Sequence, residues 1–186
     1  MGDPGVTSSA AGPTNADDGM LLTRLRPARQ EDAALLASWR ADPCSPFEDW
    51  SGPPPPGVED SVRLLPAVGG DLVVTDATDQ PIGTVSWHPV LYGPNLGSQA
   101  LDIGISLRPF AQGCGHGARA QRMLAKYLFA TTPVFRVQAS TDVCNIAEQR
   151  SLERAGFRRE GVLRGAQWRL GDWHDLVCFA RLRGDA

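Results

Sequence analysis

The spacing of apolar and polar residues along the chain shifts between the period of a strand and the period of a helix. Alternating or continuous apolar stretches bounded by turn residues predict β-strands. The predicted strands are a hairpin at residues 72–75 and 82–87 turned by residues 76–81, then residues 101–107 and 135–141, and a strand–turn–strand unit within residues 161–182. The pattern therefore predicts a sheet as the centre of the fold.

Apolar residues at helical spacing predict three helices around this sheet. The first covers residues 30–40, and the second covers residues 118–129. The third begins after Asn145, because an asparagine side chain caps a helix well. It ends at Gly156, since glycine favours the backbone conformation that stops a helix.

Other stretches predict little regular structure. Residues 42–57 include four consecutive prolines, and proline fixes φ and removes a backbone donor. Residues 89–99 are rich in turn-forming residues and predict a second irregular connection. A short helix is expected between the two, at residues 59–65.

A turn with three glycines joins the strand at residues 101–107 to the helix at residues 118–129. Gly113, Gly115 and Gly117 allow the backbone to adopt positive φ and to approach a ligand closely. Unpaired N–H groups at the start of the following helix point toward a bound anion. The segment predicts a phosphate or pyrophosphate site, and the alternative is a turn that only links strand to helix.

Two common nucleotide-binding patterns do not fit this turn. A Walker loop ends in Gly-Lys-Ser/Thr, whereas Gly117 is followed by Ala118 and Arg119. A dinucleotide-binding loop has the spacing Gly-x-Gly-x-x-Gly and follows the first strand of its domain. Here the spacing is Gly-x-Gly-x-Gly, and more than half of the chain precedes it.

The residues of the turn match a different family. Gln112-Gly-Cys-Gly115-His-Gly117 follows the pattern Gln/Arg-x-x-Gly-x-Gly/Ala. That pattern resembles the acyl-coenzyme A loop of the GNAT N-acetyltransferases. The resemblance implies that the turn binds the pyrophosphate of acetyl-coenzyme A.

A second motif lies downstream in the order that this family shows. Asn145-x-x-x-x-Arg150-x-Leu152-Glu-x-x-Gly156-Phe157 is similar to the second core motif of GNAT enzymes, whose Asn lies near the pantetheine arm. The chain departs from many relatives at Leu152, where they carry a tyrosine that protonates the leaving thiolate. Leucine has no proton to give.

Both ends of the chain extend the resemblance. Residues 22–32 look like the first strand and capped helix of the RimJ/RimL-type branch, and residues 161–182 look like its C-terminal hairpin. The implied fold is a mixed α/β GNAT domain at residues 21–183, with a splayed, largely antiparallel sheet flanked by helices. Residues 1–20 are expected to form a disordered leader.

The resemblance implies an N-acetyltransferase that moves an acetyl group from acetyl-coenzyme A directly to a primary amine. It assigns coenzyme A contacts to the main chain of the splayed strand, to the glycine-rich turn and to the second motif. These residues are Ile105, Leu107, Gln112, Gly113, Cys114, Gly115, His116, Gly117, Asn145 and Arg150. Two roles are open for Cys114. It is either a small residue that contributes only its N–H group, or a thiol whose pKa is lowered by the amides at the start of the helix.

Direct transfer needs a group that takes a proton from the amine and a group that protonates the departing thiolate. Asp102 is the first candidate for the base, because relatives often carry glutamate before Ile-Gly at this position. For the thiolate, Ser140, Thr141 and Ser151 are candidates, beside water or the proton of the product. Asn145 is counted among the catalytic residues because the resemblance places it beside the pantetheine arm of coenzyme A.

The acceptor amine is the least determined part of the prediction. Phe47, Glu48, Asp49 and Trp50 form an acidic and aromatic cluster that suits a cationic amine, and an ordinary solvated loop is the alternative. The acceptor is either a protein N-terminus or a small molecule. A different donor, such as succinyl-coenzyme A, and a coenzyme A-binding module without catalysis remain open.

Composition adds limits on class and partners. The chain has 186 residues and a net charge of −3, without a basic block, which argues against nucleic acid as a partner. No apolar run approaches the ~20 residues of a membrane span, and residues 1–19 lack the features of a signal peptide. The four cysteines and three histidines show no metal-ligand spacing, so no metal is expected. A cytoplasmic monomer or homodimer is expected.

Overall fold

The computed structural model describes residues 22–42, 44–48 and 69–185. Several predictions fall outside these residues: the leader at 1–20, most of the proline-rich stretch at 42–57, the cluster members Asp49 and Trp50, and the short helix at 59–65. The remaining predictions concern residues that the structure describes.

Seven strands and three α-helices are present in the described part of the chain. In chain order they are β1 (Arg24–Arg26), α1 (Ala33–Ala41), β2 (Gly70–Thr75), β3 (Pro81–Leu91), β4 (Gln99–Leu107), α2 (His116–Thr131), β5 (Arg136–Asp142), α3 (Ile146–Arg154), β6 (Arg158–Arg169) and β7 (Asp172–Leu182). Each predicted strand and helix within the described residues is confirmed, with bounds that differ by a few residues.

All seven strands form one sheet in the order β1-β2-β3-β4-β5-β7-β6. Every neighbouring pair is antiparallel except β4 and β5, which are parallel. The mixed, largely antiparallel sheet predicted from the sequence is confirmed.

The hydrophobic core lies between one face of this sheet and the helices α2 and α3. Alternation along β4 directs Leu101 and Ile103 toward the core, where they are 6% and 4% exposed. Leu124 and Leu128 of α2 pack against the same face and are almost fully buried. The opposite face of β4 carries Asp102, Gly104 and Ser106, as the alternation predicts.

The start and end of α3 follow from single residues. The Asn145 side chain accepts a hydrogen bond from the main-chain N–H of Glu148 at 3.2 Å and so caps the helix. Gly156 has a φ of +90°, which few other residues adopt, and the chain turns there into β6. Because the Asn145 side chain caps α3, the start of that helix fixes the position of Asn145.

The irregular connection predicted at residues 89–99 is shorter than expected. β3 continues to Leu91 and pairs with β4 as far as Gln99, so only residues 92–98 lie outside the ladder. Pro89 is tolerated because the last pairing between β2 and β3 joins Gly70 to Trp87. Beyond Trp87 the strand is an edge on that side, where a missing N–H group costs little.

Candidate active site

A gap between the two parallel strands forms the base of the candidate site. β4 and β5 pair at only two positions, Leu101 opposite Val137 and Asp102 opposite Gln138. Beyond Asp102, β4 continues to Leu107 beside β3, while β5 continues beside β7. The open edge of β4 therefore presents main-chain groups with which an extended ligand can pair.

The glycine-rich turn opens beside this gap. Gly113 and Gly115 have φ values of +74° and +87°, in the region that favours glycine. A Cβ atom at either position would meet nothing within 4 Å, so there is free space beside the backbone. α2 begins at His116, and no described side chain caps its first N–H groups. An anion in this space would meet donors and the positive end of a helix.

A cavity of about 490 Å³, called the cleft below, joins the open edge of β4 to the glycine-rich turn. Nine residues predicted from the sequence line it: Ile105, Leu107, Gln112, Gly113, Gly115, Gly117, Asn145, Arg150 and Ser151. Gln112 also holds the turn in place, because its amide donates to the Leu107 carbonyl at 2.8 Å. The fold thus brings both sequence motifs to one cavity.

Among the residues predicted to bind coenzyme A or to act as the base, three do not line the cleft: Cys114, His116 and Asp102. Cys114 is exposed. The Nδ1 atom of His116 lies 2.9 Å from the Thr23 hydroxyl, so the His116 ring is hydrogen-bonded to the residue that precedes β1. Asp102 is the last residue of β4 that pairs with β5, so it lies at the closed end of the gap, and it does not line the cleft.

Asp102 is engaged by its neighbours in the sheet. The Gln138 amide donates to its carboxylate at 2.8 Å. Burial raises the pKa of Asp102, while this hydrogen bond and the positive charges of His88 and Arg136 oppose the rise. The carboxyl group is therefore part of a hydrogen-bonded network on the sheet.

Glu48 lies where the cleft meets a second cavity. This cavity, of about 610 Å³, lies beside α1, β2 and β3 and is called the α1 cavity. Glu48 lines both cavities, and its carboxylate accepts a hydrogen bond from the Ser106 hydroxyl at 3.1 Å. Burial raises the pKa of Glu48, and the bond from Ser106 and the charge of Arg108 lower it in part. A half-buried carboxyl thus stands at the junction.

Glu148 is a second carboxyl in the cleft, and the sequence analysis missed it. Its spacing from Asn145 is that of a capping box, in which it would accept from the Asn145 N–H. That N–H donates to the Asp142 carbonyl at 2.9 Å instead, and Glu148 accepts from the Gln121 amide. Burial raises the pKa of Glu148 to about 7; the bond from Gln121 opposes this, and the negative charge of Glu48 adds to it.

The predicted hydroxyl groups are less available than this carboxyl. Ser151 donates to the side-chain oxygen of Gln121 at 2.9 Å, and Gln121 is 2% exposed. Ser140 lines a different cavity, and Thr141 is buried. Ser151 and Glu148 are therefore both hydrogen-bonded to the side chain of Gln121.

A buried ion pair holds the segment that carries Glu48. Arg169 of β6 pairs with Asp142 at the end of β5, and the two side chains are 3% and 5% exposed. Arg169 also donates to the Pro46 carbonyl, and its guanidinium lies 5.4 Å from the centre of the Phe47 ring. Residues far apart in the sequence thus set the place of Glu48.

Two further observations concern the described residues as a group. They contain no set of three or more His, Cys, Asp or Glu side chains arranged to hold a metal ion. None of their helices combines the length and the apolar character needed to cross a bilayer.

Comparison with protein families agrees with the fold and the motifs. The family model of the GNAT acetyltransferase domain matches residues 23–158, which is more than half of the chain. The chain therefore belongs to the GNAT acetyltransferase family.

Individual relatives are more distant. The chain is 32% identical over 113 residues to the probable N-acetyltransferase YjcK of Bacillus subtilis, and the match covers 61% of each protein. Mycobacterium smegmatis RimJ, solved with CoA-disulfide, is 21% identical with a TM-score of 0.66 over 86% of this chain and 81% of its own. Spermidine N-acetyltransferase of Vibrio cholerae, solved with CoA and spermine, is 18% identical with a TM-score of 0.68 over 88% and 96%. These two structures share the fold.

Proposed function

We propose that the protein transfers an acetyl group from acetyl-coenzyme A directly to a primary amine. The observation that carries this proposal is that the cleft and the α1 cavity share Glu48, whose carboxylate accepts a hydrogen bond from Ser106 of the α1 cavity. Two substrates can then approach the same point from two cavities, and holding two reactants in position supplies much of the rate of a bimolecular reaction.

Acetyl-coenzyme A fits the chemistry of the cleft. Its pyrophosphate would accept hydrogen bonds from the main chain of the glycine-rich turn, with positive charge from Arg150 and Arg154 nearby. Its pantetheine arm would pair with the main chain of Ile105 and Leu107 at the open edge of β4. The side-chain oxygen of Asn145 is used in capping, so its NH₂ group would be the part that donates to the arm.

We assign the base to Glu48 and keep Asp102 as the alternative. A primary amine is protonated at neutral pH and must lose a proton before it attacks the thioester carbonyl. Glu48 lines both cavities, whereas Asp102 lines neither of them and is bonded to Gln138. Burial raises the pKa of Glu48, which makes it a stronger proton acceptor.

The α1 cavity supports a cationic acceptor. Trp39 offers aromatic surface, and Asp71 and Glu48 offer two negative charges beside the single positive charge of Arg40. The proposed acceptor is a protein N-terminus, in keeping with the RimJ/RimL-like motifs, or a small amine. We place the reaction in the cytoplasm, with the protein a monomer or a homodimer and without nucleic acid or membrane as a partner.

Release of free thiol tests the proposal. The protein is incubated with acetyl-coenzyme A and a panel of polyamines, amino sugars and short peptides, and free thiol is followed with a colorimetric reagent. We expect release that requires both the protein and one class of amine. If free thiol is released from succinyl-coenzyme A and not from acetyl-coenzyme A, the acyl donor is succinyl-coenzyme A. Binding of acetyl-coenzyme A without release over the whole panel would favour a non-catalytic module.

A further inference from the structure

We propose that Glu148 is the acid that protonates the coenzyme A sulfur as the thioester bond breaks. This inference rests on the proposed transfer reaction. The need for such a group follows from Leu152, which stands where many GNAT enzymes carry a tyrosine. Leu152 is fully buried in the hydrophobic core and offers no proton.

The hydroxyl groups near the second motif do not fill this role. The Ser151 hydroxyl already donates to Gln121. Ser140 lines another cavity and lies 3.5 Å from the sulfur of Cys178. Thr141 is buried outside the cleft. Glu148 lines the cleft and can carry a transferable proton.

The surroundings of Glu148 fix its carboxyl group. One oxygen accepts from the amide of Gln121, which is buried and held in turn by Ser151. Within the described residues the other carboxyl oxygen has no hydrogen bond, so it is available to a ligand. The group also lies in the first turn of α3, next to Asn145, where the pantetheine arm is proposed to pass.

Burial, together with the negative charge of Glu48, keeps a proton on this group near neutral pH. The titratable or charged side chains that share the cleft with Glu148 are Cys44, Glu48, Arg150 and Arg154. Burial and the negative charge of Glu48 bring the pKa of Glu148 to about 7. A substantial share of the protein then carries a protonated Glu148 at pH 7, and an acid with a pKa near the working pH is efficient.

The step balances without a further reactant. Glu48 takes one proton from the ammonium, and the amine nitrogen attacks the carbonyl carbon and forms the C–N bond. The C–S bond breaks with its electron pair on sulfur, and the proton of Glu148 forms the S–H bond. The second proton of the acetylated nitrogen then returns to Glu148, and Glu48 releases its proton to solvent. The sum is one amide, one thiol and one proton.

Titration of bound coenzyme A tests the location of Glu148 without turnover. The ultraviolet absorbance of the thiolate is followed against pH in complexes of the wild-type protein, Glu148→Gln and the control Glu153→Gln, whose residue is exposed on the same helix. Above pH 7 the negative charge of Glu148 disfavours a thiolate beside it. We therefore expect the thiol to titrate at least about 0.5 pH unit lower in Glu148→Gln than in the other two proteins. Identical titration in all three overturns the proposal.

Turnover tests the acid role itself. Because the reaction needs the protonated form, wild-type kcat should fall as the pH rises above about 7, the pKa of Glu148. In Glu148→Gln we expect kcat to drop by about 10²-fold, within the range for one acid–base group, with this fall at high pH removed and coenzyme A affinity nearly unchanged. Unchanged kcat in the variant overturns the acid role and leaves the proposed function intact. A wild-type protein without turnover on any amine overturns the proposed function, and the acid role with it.

Discussion

The two walls of the cleft are built in different ways. One wall, the glycine-rich turn at residues 112–117, consists of main chain held in positive φ by glycine. The other wall, residues 44–48, offers the side chain of Glu48 and is held by Arg169, 123 positions after Pro46. The first wall depends on local backbone conformation, and the second depends on a long-range ion pair.

This difference separates binding from chemistry. A wall of main-chain donors suits the constant part of a co-substrate, because every residue type has an N–H group except proline. A wall of buried charged side chains can shift a pKa and move a proton. We therefore expect changes in the turn to act on coenzyme A affinity, and changes at Glu48 to act on turnover.

The largest expected effect is at Glu48. Glu48→Gln keeps the size of the side chain and removes its capacity to accept a proton, so kcat should fall by about 10²–10⁴-fold. Asp102→Asn is the matched comparison, and we expect less than about a tenfold loss there. Steady-state kinetics with saturating acetyl-coenzyme A measures both. The reverse order of the two losses would return the role of base to Asp102.

The second-largest effect is expected at Gly115 in the glycine-rich turn, and it is on coenzyme A affinity. Gly115→Asp places a negative charge where the pyrophosphate should lie, and should weaken coenzyme A binding by about 100-fold, equivalent to about 2.7 kcal/mol. Gly115→Asn is the control, because asparagine has the same size and tolerates a similar positive φ. Calorimetric titration of both variants isolates the charge. Equal affinities would mean that no phosphate lies beside Gly115.

The smallest effect is expected at Asn145, which caps α3 and lines the cleft. Asn145→Asp keeps the cap and loses the amide donor, so the protein should melt normally and bind coenzyme A several-fold more weakly. Asn145→Ala also loses the cap and should lose about 0.5–2 kcal/mol of stability. Thermal melting and calorimetry on both variants make the comparison. Normal affinity in Asn145→Asp would leave the residue with a structural role alone.

The difference between local backbone conformation and long-range packing also explains which features could be predicted from the sequence. The turn, the cap at Asn145 and the stop at Gly156 are set by residues within one or two turns of chain, so local patterns reveal them. The fold was implied by a family resemblance, and the motifs that carry it lie near each other along the chain.

Long-range packing produced the features that the sequence analysis missed. Asn145 and Glu148 have the spacing of a capping box, and only the approach of α2 directs Glu148 to Gln121 instead. The place of Glu48 depends on the pairing of Asp142 with Arg169, which no local pattern encodes. β3 runs on through Pro89 because its neighbour β2 has already ended.

Hydrogen–deuterium exchange with and without coenzyme A tests the central claim most directly, namely that the cleft beside the open edge of β4 is the coenzyme A site. We predict added protection at the amides of residues 103–107 and 113–118, and little change at residues 158–163 of β6. Residues 160–163 line a third cavity, of about 660 Å³, with part of β5, so they serve as an internal control. Protection confined to β5 and β6, with none in the glycine-rich turn, would contradict the account.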